Sequence, residues 1–187
     1  VGNDQKQHLE LCRDIAQKFN NDFNVDDFFK IPEPLIKKEF SRIMSLKDGL
    51  KKMSKSEISD LSRINLTDDK DTIVNKIKKA KTDALPLPST VEELEKRPEA
   101  KNLIGIFSSL SGLTLENSLN EFSGKNFSNF KENLSQLLIE KIIPISLEIK
   151  KLLNDYDYLD SILIDGYKKA DKIASKKVEK IHEIIGF

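Results

Sequence analysis

Lys52-Met53-Ser54-Lys55-Ser56 sets two ammonium groups three residues apart and interleaves them with two hydroxyls. Those residue types at that spacing suit a chain of phosphates. Two lysines three apart on a flexible loop can close over phosphate oxygens, while the hydroxyls and backbone N–H groups add donors. None of the five side chains is needed as a general base. The chemistry they could assist is a displacement at phosphorus, where the difficulty is charge and the remedy is well-placed cations. A single lysine pair is more often only a solvated charged loop, and that plain alternative stands beside the functional one.

Such a group needs elements to hold it. Phe28-Phe29-Lys30-Ile31 is a short apolar burst stopped by Pro32 and Pro34, which predicts a strand leading into a loop. Arg42-Ile43-Met44-Ser45-Leu46 predicts a second strand, and Lys47 to Asp60, with no regular period, predicts a mobile surface loop. The lysines would therefore follow a strand. Before these, Gln5 to Phe19 predicts a helix with Leu9, Ile15, Ala16 and Phe19 on one side.

Beyond Ser62 the pattern becomes helix upon helix. Thr67-Asp68-Asp69 can cap a helix reaching about Lys81, with Ile73, Ile77 and Ala80 inward. Thr90 with Glu93 forms a capping-box pattern, and Pro98 suits the first turn of a helix that Gly112 stops. A short helix carrying Leu115, Leu119 and Phe122 ends at Gly124. A long one spans about Ser128 to Leu153 with Pro144 inside it, and the last runs from Asp157 to Ile185. The fold class is mostly α: a remnant of a Rossmann-type α/β domain over residues 1–66, followed by a helical bundle over 67–187.

Bulk properties exclude several classes. Lys+Arg and Asp+Glu both total 31, so net charge does not point to a polyanionic partner. No apolar run approaches the roughly 18 residues of a membrane helix, and no signal-peptide pattern is visible, so the expectation is a cytoplasmic protein. A lone cysteine, Cys12, cannot form an internal disulfide and fits a reducing compartment. His8 and His182 are too far apart and too poorly accompanied to suggest a metal pair, so no metal ligand is assigned. In the last helix Lys168, Lys172, Lys176 and Lys180 recur every four residues, flanked by Lys169 and Lys177. A solvated face is the plain reading of this stripe, and a phosphate-facing one the functional reading. The chain opens on Val1 with a helical pattern almost at once, which reads as a truncated protein.

The pentapeptide matches, letter for letter, the signature loop of class I aminoacyl-tRNA synthetases. Gly2 to Leu11, Arg13-Asp14 and Arg42 to Leu46, together with it, resemble the tryptophanyl members of that class more than the tyrosyl ones. Ser62 to Asp68, Lys81-Thr82-Asp83, Arg97-Pro98, Asn102-Leu103, Ser111-Gly112-Leu113 and Gly124-Lys125 agree, so the resemblance covers the whole chain. Gly49-Leu50 and Glu57 depart from the family pattern without removing a group the chemistry needs.

The resemblance implies a tryptophan–tRNA ligase with ATP and Mg2+, working on L-tryptophan and tRNA(Trp) as a homodimer. It implies that Gly2, Asn3, Asp4, Ile43, Lys52, Met53, Ser54, Lys55 and Ser56 meet ATP, Ile43 through its backbone at adenine and Met53 beside the adenosine. Lys52 and Lys55 would be catalytic, stabilising the departing pyrophosphate, and Gln5 would lie near the tryptophan. Asn3 or Asp4 could instead be a simple helix cap. Residues 1–66 would close the catalytic domain and 67–187 form the anticodon-binding domain, with the lysine stripe facing tRNA. These 187 residues alone would lack half the ATP site and be inactive. A tRNA-binding piece without catalysis, and a related tyrosyl-type enzyme, are the alternatives.

Overall fold

The computed structural model describes residues 5–36 and 42–187. Those residues form seven α-helices and one two-stranded antiparallel sheet, so the chain is mostly α as expected. They fall into two compact units, residues 1–41 with 151–187 and residues 42–150, each considered by itself. The residue 66/67 boundary read from sequence lies inside the second unit. That reading divides the chain by role, whereas the units divide it by packing.

In the first unit, α1 (Lys6–Asp22) turns its Ala16 inward and leaves Ile15 exposed, against the expected stripe. The predicted strand at Phe28–Ile31 does not form. Asn24 and Asp27 both take positive φ, which breaks extension on its N-terminal side. Phe29 then finds its backbone partners in a side chain: Asn20 donates through Nδ2 to the Phe29 carbonyl (2.8 Å) and accepts the Phe29 N–H at Oδ1 (3.0 Å). The apolar burst packs as a cluster of Phe19, Phe23, Phe28 and Phe29, with ring centroids 4.8–5.5 Å apart. From α7 (Tyr156–Ile185), Lys177 donates to the Phe28 carbonyl and lies 3.6 Å from the Phe28 ring centroid. No α7 side chain is buried among the described residues, so the apolar positions Ile162, Leu163, Ile173 and Val178 are exposed.

The second unit begins with β1 (Met44–Ser45) and β2 (Asp48–Lys52). Met44 stands opposite Lys52 and Ser45 opposite Asp48, with a bulge between these pairs. The strand expected around residues 42–46 is therefore present and short. The expected loop at Lys47–Asp60 is corrected in its first part, where β2 forms. Its helices are α2 (Lys70–Lys78), α3 (Val91–Glu95), α4 (Pro98–Ser111), α5 (Leu115–Phe122) and α6 (Phe127–Leu152).

The helix ends follow the local chemistry. Asp69 caps α2 by accepting the Thr72 N–H at 2.8 Å, and Thr90 caps α3 by accepting that of Glu93 at 3.3 Å. Glu93 reaches back to the Ser89 N–H rather than to its own cap residue (3.1 Å). Pro98 opens α4 and Gly112 ends it at φ +76°, a left-handed turn that glycine adopts without a Cβ penalty. α4 is the central helix, with Asn102 to Ser108 all buried. Around it pack Ile73, Ile77, Leu94, Leu119, Leu134 and a ring cluster of Phe107, Phe122 and Phe130. Lys131 closes α2 by donating to the carbonyls of Lys78 (3.2 Å) and Ala80 (2.6 Å). Burial pushes the pKa of that amine down.

Candidate phosphate-binding site

Lys52 ends the five-residue β2, and the strand is too short to stand alone. α4 supplies what the hairpin lacks. Asn102 accepts the Met44 N–H at Oδ1 (2.9 Å) and donates through Nδ2 to the Met44 carbonyl (2.8 Å), as a neighbouring strand would. Gly49 lies so close to the start of α4 that an ideal Cβ would sit 2.6 Å from the backbone N of Glu99. The Leu46 carbonyl accepts the Lys81 N–H at 2.7 Å, and the Lys81 ammonium meets Glu99 at 2.8 Å.

Glu99 sits in the first turn of α4, where the helix dipole favours a carboxylate. Its carboxyl is held below the usual glutamate range, first by the Lys81 hydrogen bond and in smaller part by the Gly49 N–H. Lys81 is raised in turn, chiefly by Glu99. A depressed carboxyl contributes stability above its unfolded pKa and loses it as pH falls through the lower folded value. A raised lysine contributes below its unfolded pKa and loses that as pH rises through the folded one. The pair is thus intact across neutral pH. Glu99→Gln is expected to lower the melting midpoint at neutral pH, with the difference from the parent shrinking as both are acidified below the glutamate range. Thermal melts at the two pH values check this. An equal difference at both would mean that the charge of Glu99 is not what matters.

On this clamped hairpin, Lys52 ends β2 and is exposed. Met53 extends the ladder by one more bond, its N–H donating to the Ile43 carbonyl at 3.0 Å, and its side chain packs against the core. Ile43, Lys52 and Met53 are thereby neighbours across the end of the hairpin. Beyond them the chain folds on itself: the Ser54 hydroxyl accepts the Ser56 N–H at 3.1 Å, and the Ser54 carbonyl accepts the Glu57 N–H at 3.4 Å. The Met53 N–H is therefore engaged in the ladder, and those of Ser56 and Glu57 inside the loop. Lys55 and Ser56 are exposed at its tip. The arrangement offers cations and a hydroxyl to a ligand on a backbone that is already turned.

The other predicted residues belong to the first unit or fall outside the described residues. Gly2, Asn3 and Asp4 fall outside the described residues. Gln5 is exposed at the cap position of α1, in the first unit, and its side chain makes no capping bond there. Lys168, Lys172, Lys176 and Lys180 are all exposed on α7. Among the described residues, no group of three His, Cys, Asp or Glu side chains could hold a metal ion. Nor is any described helix long and apolar enough to cross a membrane.

Sequence reasoning missed four residues that shape the site: Gly49, Arg63, Lys76 and Asn102. Only Lys76 left a signal, as a charge on the inner stripe between Ile73 and Ala80.

The family model for class I tRNA synthetases (W and Y) matches residues 1–180. The tryptophan–tRNA ligase of Caulobacter vibrioides is 51% identical over 187 residues, covering 100% of this chain and 54% of that protein. The tryptophanyl-tRNA synthetase structure from Mycoplasma pneumoniae superposes with a TM-score of 0.82 at 29% identity, covering 100% of this chain and 57% of that one. The one from Campylobacter jejuni, described as complexed with ADP and tryptophan, gives 0.68 at 30% identity, with 100% and 56% covered. The chain thus spans about half the length of the relatives it matches.

Proposed function

Because the chain belongs to the class I tRNA synthetases of the tryptophan and tyrosine type, we propose that its protein is a tryptophan–tRNA ligase. The tryptophan carboxylate attacks the α-phosphorus of ATP. The α–β bridging P–O bond breaks, pyrophosphate leaves, and tryptophanyl-adenylate forms. A ribose hydroxyl at the end of tRNA(Trp) then takes the acyl group and releases AMP. The carboxylate is already an anion at neutral pH, so the first step needs no general base. It needs the charge that gathers on the pyrophosphate to be met.

The exposed Lys52 and Lys55, on a loop fixed from behind by β1 and α4, carry this reading. Lys52 and Lys55 bind the β- and γ-phosphates and follow their charge as the bond breaks. Ser54 and Ser56 donate hydroxyl hydrogen bonds to the same phosphates. Ile43 and Met53, joined across the ladder, line the adenosine side. Gly2, Asn3 and Asp4 complete the ATP site, and Gln5 holds the polar end of tryptophan. Magnesium would come with ATP and supply further positive charge to its phosphates. Residues 1–66 belong to the catalytic domain and 67–187 to the anticodon-binding domain, with Lys168, Lys172, Lys176 and Lys180 toward tRNA. The protein works in the cytoplasm as a homodimer. Support comes from the ADP and tryptophan named with the Campylobacter jejuni relative and the ligase name of the Caulobacter vibrioides one.

The test is exchange of labelled pyrophosphate into ATP by the complete gene product, with tryptophan or tyrosine supplied. Exchange driven by tryptophan alone is expected. Exchange driven by tyrosine would move the protein to the other branch of the family, and none with either would overturn the proposal.

A further inference from the structure

Lys76 is among the most buried large side chains described, at 1% exposure, although it is charged. A buried ammonium must be paired to be tolerated. Its Nζ lies 2.6 Å from Asp60 Oδ2 and 2.7 Å from Asp68 Oδ2. Both carboxylates lead on. Asp68 accepts the Asn65 N–H at 2.9 Å, and Asp60 accepts Asn65 Nδ2 at 3.0 Å while pairing with Arg63 Nη2 at 3.0 Å. The Asp60 carboxyl is held below its ordinary range, first by the Lys76 hydrogen bond. Arg63 spends its other donors outward: Nε to Asn65 Oδ1 at 3.3 Å, Nη1 to the Glu57 carbonyl at 2.8 Å, with a longer 3.5 Å approach to the Ser54 carbonyl.

The last two contacts carry the inference. They are made to main-chain carbonyls, so they fix the backbone whatever the side chains do. They also fall on either side of Lys55. A guanidinium fork can hold two carbonyls and a carboxylate at once in fixed directions, which an ammonium cannot. The four charged groups, Lys76, Arg63, Asp60 and Asp68, sum to zero, so the network adds no net attraction for phosphate. Its effect is geometric.

We propose that Arg63, anchored through Asp60 to the buried Lys76, is the positioning residue for Lys55, presetting the loop so that this ammonium meets the departing pyrophosphate. The proposal rests on the ligase reading above. It assigns Arg63 no contact with substrate.

The test compares Arg63→Ala and Arg63→Lys with the unaltered complete gene product in tryptophan-dependent pyrophosphate exchange. A misplacement of about 1 Å costs roughly 100-fold in rate. Both variants should therefore lose about 10- to 100-fold in kcat, with the KM for tryptophan held within about twofold. Arg63→Lys keeps the charge but not the fork and should fail to rescue. Limited trypsin cleavage after Lys52 and Lys55 reads the loop without reference to catalysis, and it should be faster in both variants. Should Arg63→Ala not fold, Asp60→Asn at the exposed anchor should show the same kcat-selective loss in milder form. Full kcat in Arg63→Ala, full rescue by Arg63→Lys, or unchanged cleavage would each overturn the proposal. Absence of tryptophan-dependent exchange in the unaltered protein would instead overturn the ligase reading, and the cleavage comparison alone would then decide whether Arg63 presets the loop.

Discussion

Lys52→Ala in the complete gene product should reduce tryptophan-dependent pyrophosphate exchange by about 100- to 1,000-fold, the loss typical when one preorganised group facing transition-state charge is removed. The backbone of Lys52 is paired opposite Met44, and the Met53 N–H beyond it is bonded to the Ile43 carbonyl. Truncating an exposed side chain there leaves the strand where it was, so the melting midpoint should scarcely move. Tryptophan affinity, measured by equilibrium dialysis, should also be unchanged, because the lysine serves the phosphates and not the amino acid. Lys52→Arg should restore part of the rate, since charge is kept while its shape and hydration change. Wild-type exchange in Lys52→Ala would remove the lysine from the mechanism.

The second large effect concerns a residue with no side chain. A Cβ on Gly49 would lie 2.6 Å from the Glu99 nitrogen and the Pro98 carbonyl carbon, and 2.8 Å from the Pro98 oxygen. These are backbone atoms of a helix start, which cannot swing aside as the end of a flexible side chain can. Gly49→Ala should therefore destabilise by about 1–3 kcal/mol, the usual cost of overpacking. It should also depress exchange, because the hairpin that carries Lys52 is pushed off α4. Gly166 is the control: it lies within α7, and an added Cβ there meets nothing within 4 Å. Gly166→Ala should stabilise by roughly 0.5–1 kcal/mol through helix propensity alone. Chemical denaturation of both variants decides the matter, and equal signs would mean that the close approach at Gly49 is not what the glycine is for.

The contrast between those glycines shows where sequence reading stops. Helix ends were legible because their chemistry is local: Asp69, Thr90, Pro98 and Gly112 each act within four residues of themselves. The Ile73, Ile77 and Ala80 stripe was legible for the same reason, since one helical period contains it. The signature loop was legible as a word, although Lys52 closes β2 where only loop was expected. β2 was not, because it pairs with a β1 that Asn102 holds from 58 residues along the chain, and rests on a helix start that only folding brings to Gly49. Phe28 to Ile31 misled in the opposite sense. Its composition is that of a strand, but Asn20 supplies the bonds a partner strand would have made. Lys76 stands on the inner stripe as a charge, but its partners Asp60 and Asp68 lie in other turns of the chain and only folding brings them to it.

Pro98, Glu99 and Asn102 occupy little more than the first turn of α4, and through them that one helix holds both edges of the hairpin. Mechanically, β1 and β2 are then a lever bolted to a shaft, and the shaft runs straight into the Phe107, Phe122 and Phe130 rings. An anion that binds Lys52 and Lys55 only where the hairpin is folded therefore adds its binding free energy to the resistance of this unit to unfolding.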